Sequence, residues 1–350
     1  MSSRLRTVLV IPALLGASIL ATVVVAQNAA TFDPDGTAHI TRVVPEPALV
    51  SKEARAWLDS LTHANRGPET LAQRRESTDR WRVADSAEAL KHYPVLIRST
   101  TRGEVPVDVI TPLQMPPENR NRVFINLHGG GFNADSGSRI EGDPIANLAR
   151  TEVVSVYYRL APEHPFPAAV DDVVAVYKAL LKTHTPNNIA IYGTSAGAIL
   201  TCEVAVRLKQ LQLPLPAALG VFSGLGDFSH VSDSRQLFTL DGLPGIPQPT
   251  ADDNLPDAQY VGSTSRRDPV LSPAFADLRG LPPTLLVTST RDMLLGDTTT
   301  LHRALLRQGV DARLVVFEAL PHAFWYHFEL PETREALELM AHFLGGAVGH

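Results

Sequence analysis

The chain has 350 residues, 44% hydrophobic and 19% charged, which suits one large globular domain or a domain carrying an inserted cap and excludes a disordered chain. A formal charge of −6 without a basic run excludes nucleic acid as the main partner and leaves no membrane-surface patch, because both need clustered Lys and Arg. The single cysteine, Cys202, rules out an intrachain disulfide, and its apolar helical setting predicts packing rather than redox chemistry.

Residues 1–26 read as an export signal: Arg4 and Arg6 precede an uncharged run from Thr7 to Ala26 that ends in small or short residues. The same run is long enough to span a bilayer, so an uncleaved anchor is the alternative. Both readings place the working domain outside the cytoplasm, periplasmic or secreted if cleaved, and no stable membrane partner is expected after signal removal. Residues 27–44 show no clear periodicity and read as a linker. From Pro45 to about Leu90, scattered anchors (Trp57, Leu58, Leu61, Leu71, Trp81) predict short helices. Val95 to Thr100 and Val105 to Thr111 alternate as strands around Gly103. Continuous apolar runs follow at Val123 to Leu127, Val153 to Tyr157, Ile189 to Tyr192, Leu219 to Phe222, Leu285 to Thr288 and Leu314 to Phe317, the pattern of strands buried on both faces.

Helical stripes alternate with these runs. One follows Pro167 (Val170, Val173, Val174, Tyr177, Leu181). Another carries Leu200, Val204, Leu208 and Leu211, with Glu203 and Arg207 paired on its polar face. A third (Leu301, Leu305, Leu306) is expected to be capped by Asp297 and closed by Gly309, and the last carries Ala336, Met340 and Phe343. Such alternation predicts an α/β fold, a mostly parallel doubly wound sheet with reactive groups beyond the carboxyl ends of its strands. The main domain thus runs from 45 to 350. One interval breaks the rhythm: residues 225–267 are rich in Gly and Pro yet hold Phe228, Leu237, Phe238, Leu240, Leu243 and Ile246, so with 45–90 they read as a helical cap over the site.

The chemistry centres on Ile189-Ala190-Ile191-Tyr192-Gly193-Thr194-Ser195-Ala196-Gly197, a strand entering a Gly-x-Ser-x-Gly turn before a helix. A serine on so tight a turn is pushed out at the top of the sheet, which makes Ser195 the expected nucleophile. The helix N-terminus points at it, so the N–H of Ala196 is free to meet an anion. His128-Gly129-Gly130-Gly131 ends another strand, and a glycine run there can turn backbone N–H groups toward the same edge. His128 and Gly129 are expected to support that loop. A serine hydroxyl needs a base, and His322, in the loop after the strand Leu314 to Phe317, is the leading histidine. Asp292, at the preceding strand end, is the expected acid; Glu318 is its rival, while Asp297 reads as a cap and Asp311 as a turn residue. The order Ser195, Asp292, His322 is the one expected of this sheet type.

With the His128 to Gly131 element and the run Tyr158-Arg159-Leu160-Ala161-Pro162-Glu163-His164-Pro165-Phe166-Pro167-Ala168-Ala169, the sequence resembles the hormone-sensitive-lipase-like esterases of the α/β-hydrolase superfamily over roughly Val95 to Leu344. The resemblance implies oxyanion donors at the N–H groups of Gly130, Gly131 and Ala196, a cap from the N-terminal helices and an insertion, and structural roles for Arg159 and Glu163. Thr194 and Ala323 depart from the Asp and Gly frequent in that family. The expected activity is hydrolysis of small, short- to medium-chain acyl esters through an acyl-enzyme. Lactone or amide hydrolysis by the same residues, or ligand capture without catalysis, are the alternatives. No His-Glu-x-x-His, Walker-type loop or Cys/His cluster occurs, so neither a metal nor an organic cofactor is expected. The expected partner is the ester substrate, with a homodimer left open.

Overall fold

The computed structural model describes residues 29–61, 70–135, 139–239 and 256–349. The expected signal at 1–26 and the expected cap residues Leu240, Leu243 and Ile246 lie outside them. Two compact units divide the chain, 1–48 and 49–350. Within the first, β1 (Ala29–Phe32) and β2 (Ala38–Thr41) form an antiparallel hairpin where a linker is expected. Ala30 pairs with Ile40 and Phe32 with Ala38, around the Asp35-Gly36 turn.

The second unit holds an eight-stranded sheet. Two helices, α1 (Lys52–Leu61) and α2 (Leu71–His92), occupy the stretch read as helical. The strands are β3 (Val95–Arg102), β4 (Val105–Pro112), β5 (Val123–Leu127), β6 (Glu152–Val156), β7 (Ile189–Thr194), β8 (Ala218–Phe222), β9 (Thr284–Arg291) and β10 (Ala312–Pro321). Their order is β10-β9-β8-β7-β5-β6-β4-β3, parallel except where β4 runs against both β3 and β6. The central strands read as unbroken apolar runs because both faces are covered. Val123, Ile125, Ile189, Ile191, Leu219 and Val221 face α4 (Ala168–Leu180), α5 (Ala196–Gln210) and α8 (Leu295–Arg307). Phe124, Tyr192, Phe222 and Val287 face α3 (Gly142–Ala149) and α9 (Pro331–Ala347). The described parts of 225–267 are α6 (Asp233–Leu237) and α7 (Pro256–Val261) with their flanks.

Two local expectations change. Asp297 is not a cap: the residue flanking α8 is Leu294, and Asp297, one turn in, accepts a hydrogen bond from Ser232 Oγ at 2.8 Å and lies 3.6 Å from Arg235. Glu203 does not share a solvent face with Arg207. It is fully buried, and Tyr260 of α7 donates to its Oε2 at 2.5 Å.

Candidate active site

Ser195 stands at the carboxyl end of β7 with φ 58° and ψ −120°, a conformation an L-residue adopts only under constraint. The constraint is steric: a Cβ on Gly193 or Gly197 would run into the carbonyl oxygen of Leu127, so β5 and the start of α5 touch backbone to backbone. Ser195 N–H donates to Phe222 O at 2.9 Å, fixing the turn against β8.

Asp292 follows β9 and is fully buried. Its Oδ1 lies 2.8 Å from His322 Nδ1 and accepts the Leu294 N–H at 2.8 Å, while Oδ2 accepts Thr288 Oγ1 at 2.8 Å and the hydroxyl of Ser223. Burial alone would raise this carboxyl, but the His322 charge and hydrogen bond, with Ser223 and the Leu294 N–H, outweigh it and hold the pKa below the usual aspartate value. An ionised carboxylate only accepts, so Nδ1 of His322 carries the hydrogen and Nε2 is left as the basic nitrogen. The loop after His322 is tied to the serine turn, since Trp325 Nε1 donates to Thr194 Oγ1 at 3.1 Å. Ala323, next to His322, adopts the left-handed φ of 55°. Ser223, whose hydroxyl binds Asp292, follows Phe222, whose carbonyl binds Ser195. His322 and Asp292 therefore meet beyond the ends of β9 and β10, and Ser195 stands at the carboxyl end of β7, tied to β8 through Phe222. Glu318 does not join them: it is exposed, with Thr290 Oγ1 3.2 Å from its Oε2.

The glycine loop after β5 supplies the facing wall. Gly130 and Gly131 have φ of 103° and 64°, and Ala134 N–H closes the turn on Gly130 O at 3.1 Å. Among the described residues, no acceptor meets the N–H groups of Gly130, Gly131 or Ala196. Gly129 differs, donating to Glu141 Oε1 at 3.1 Å. The buried His128 ring stacks on Tyr158, centroids 4.2 Å apart, and Tyr158 Oη donates to His128 O at 2.6 Å. Burial pushes its pKa down, so the ring is neutral and braces the loop. In the 158–169 signature, Arg159 lies 2.7 Å from Asp172, and Glu163 lies 2.7 Å from Arg75, which also donates to Asn133 O and Ala161 O. Among the described residues, Glu88, His92 and Glu329, at the surface, are the one group whose ligand atoms could share a metal ion.

A family model described as alpha/beta hydrolase fold matches residues 124–326. The chain belongs to the α/β-hydrolase family. An acetyl-hydrolase of Streptomyces hygroscopicus is 34% identical to this α/β-hydrolase over 71% of its length and 85% of the relative's. An esterase of Acinetobacter venetianus is 31% identical over 63% and 74%. One esterase crystal structure aligns with TM-score 0.78 and 30% identity, covering 90% of this chain and all of the other. An esterase of the bacterial hormone-sensitive lipase family aligns with TM-score 0.70 and 29% identity, over 84% and 96%. The chain is thus a carboxylesterase of the hormone-sensitive-lipase-like type.

Sequence reasoning misses the groups that stabilise this α/β-hydrolase's site from behind. Ser223 follows an apolar strand without a motif. Arg82, buried in α2, lies 3.1 Å from Asp135 and over the Tyr326 ring. Tyr260 stacks on Phe132 of the glycine loop, centroids 3.5 Å apart. Only the i,i+4 pairing assigned to Glu203 offers a signal, and it points to the wrong face.

Proposed function

We propose that Ser195, Asp292 and His322 act as a catalytic triad that hydrolyses small, short- to medium-chain acyl esters. The observation that carries the reading is the His322–Asp292 hydrogen bond at the strand ends beside a serine held at positive φ. Ser195 Oγ attacks the ester carbonyl carbon as its proton passes to His322 Nε2. The resulting oxyanion is met by the N–H groups of Gly130, Gly131 and Ala196. His322 returns the proton to the leaving alkoxide, and the alcohol departs from an acyl-enzyme. Water then attacks that ester with the same base, releasing the acid and restoring Ser195.

The elements at 45–90 and 225–267 cap the site, a role supported by Arg75 on the glycine loop and Tyr260 on Phe132. Phe228 is packed in the core, so the described cap contributes Leu237 and Phe238 to any acyl contact. The run at 7–26 directs export, with the mature chain beginning near Gln27, which an intact mass from the native host checks.

Ser195→Ala abolishes turnover of an activated ester without lowering Tm, and a serine-directed phosphonate labels the wild type but not the variant; near wild-type turnover overturns the mechanism. A capped pocket rewards each buried methylene by about 0.8 kcal/mol until it is full. On p-nitrophenyl esters from acetate to palmitate, kcat/KM peaks at about two to eight acyl carbons and then falls. A maximum at palmitate, or preference for a lactone or anilide, would replace this substrate class with another.

A further inference from the structure

Behind the glycine loop lies a carboxyl group with no part in the triad. Glu141, just before α3, is buried, and three donors converge on it: Gly129 N–H and the Tyr326 hydroxyl on Oε1, and Asn126 Nδ2 at 3.2 Å on Oε2. Asn126 is itself oriented by Ser155 Oγ, which donates to its Oδ1 at 3.0 Å. The Tyr192 hydroxyl of β7 holds the Glu141 backbone carbonyl at 3.2 Å. Gly129 is therefore pinned from behind, and the next two residues, Gly130 and Gly131, have N–H groups that meet no acceptor among the described residues.

We propose that Glu141 is a positioning residue for ester hydrolysis, whose carboxylate holds Gly129 and so aims the oxyanion donors of Gly130 and Gly131. The proposal rests on the oxyanion reading above. Each contact presents a hydrogen to the carboxyl, an arrangement that suits the ionised form; Oε1 already accepts two, so a proton there displaces a donor. The charges facing Glu141 come from two elements. On α2, Arg82 favours the carboxylate but also pairs with Asp135. On the loop after β5, Asp135 opposes it, and His128 is neutral. Tyr158, Tyr192 and Tyr326, from the segments around them, are all held neutral by burial. Burial pushes the Glu141 carboxyl up to about 7 against the pull of Arg82, Tyr326 and Asn126. With its pKa raised, the group binds a proton as pH falls through neutrality, and the anchor on Gly129 loosens there.

The test is the acid limb of kcat/KM for p-nitrophenyl butyrate in wild type and Glu141→Gln. Protonated Glu141 is as neutral as glutamine, so the wild-type to Glu141→Gln ratio of kcat/KM is about ten at pH 8 and falls toward one as pH drops below 6. Glutamine can still accept from Gly129 but opposes Asn126 with an N–H, so kcat at pH 8 falls about tenfold while KM stays within about twofold. Affinity for a trifluoromethyl ketone, which forms a hemiketal oxyanion, falls by the same factor as kcat. Wild-type kcat in the variant at pH 8, or a ratio that does not change with pH, overturns the proposal. Should Glu141→Gln fail to fold, Tyr326→Phe removes one donor and moves the acid limb to higher pH; an unmoved limb is then the overturning result. An active Ser195→Ala would refute the triad reading instead, whereas an inactive Ser195→Ala beside an unaltered Glu141→Gln refutes only the role of Glu141.

Discussion

Two buried carboxyl groups flank Ser195, and their surroundings drive them apart. Asp292, behind His322, receives four hydrogen bonds and has an imidazole to itself; its pKa is held low despite full burial. Glu141, behind the glycine loop, receives three and shares Arg82 with Asp135; its pKa is pushed up to about 7. Donor count alone does not decide ionisation. What separates the two is that the donors on Asp292 serve it alone, whereas Arg82, the cation that favours Glu141, also pairs with Asp135. The carboxyl beside His322 keeps its charge, while the one behind the glycine loop carries a charge that a pH near 7 can remove.

The largest break in this comparison comes from Asp292→Asn. An amide leaves His322 with the wrong tautomer, and kcat falls about ten-thousandfold. Glu318→Gln, four residues from His322 but bonded elsewhere, leaves kcat within about twofold. A larger loss in the glutamate variant would transfer the acid role. Ser223→Ala takes one donor from Asp292 but leaves three, so the carboxyl stays ionised above pH 6 and kcat falls about tenfold at pH 6 and pH 8 alike. A loss confined to pH 6 would mean that Ser223 alone keeps Asp292 charged. The smallest effect sharpens the series at its far end. Asp143, buried in the first turn of α3, has no hydrogen-bond partner for either oxygen among the described residues, and burial raises it from 3.8 to about 7. Because the folded pKa is the higher one, the stability its neutral form contributes is present at low pH and lost as pH rises through 7. Asp143→Asn therefore raises Tm by about 2 °C at pH 8 and leaves it unchanged at pH 5; the opposite pH order would show Arg139 to be a full partner.

The legible parts of the sequence are those in which one chemical demand dominates a short stretch. The strand β5 coincides with its apolar run, and the strand and helix around Ser195 follow from apolar spacing with glycines where backbones collide. Asp292 and His322 are legible because each follows a strand end in the order the sheet requires. The supporting shell is not, because its members come from far apart in sequence: Arg82 from α2, Glu141 before α3 and Tyr326 after β10 meet only once the sheet is assembled. Glu203 misleads for a related reason. Helical spacing reports which residues share a face, but not that Tyr260 of a distant segment covers it. The hairpin at 29–41 escapes periodicity because its apolar alternation is only two residues long on each strand, and alanines supply half of it.

The backbone of Ser195 carries one more consequence. At φ 58° and ψ −120° a side-chain-bearing residue is strained by about 1–3 kcal/mol, whereas glycine occupies the region freely. Replacement by glycine loosens the unfolded chain by less than about 1 kcal/mol, so the inert Ser195→Gly protein would outlast the working one on heating. If Ser195 is the nucleophile proposed above, durability and reactivity pull in opposite directions at a single peptide unit, where a chain shaped for longevity alone would put glycine.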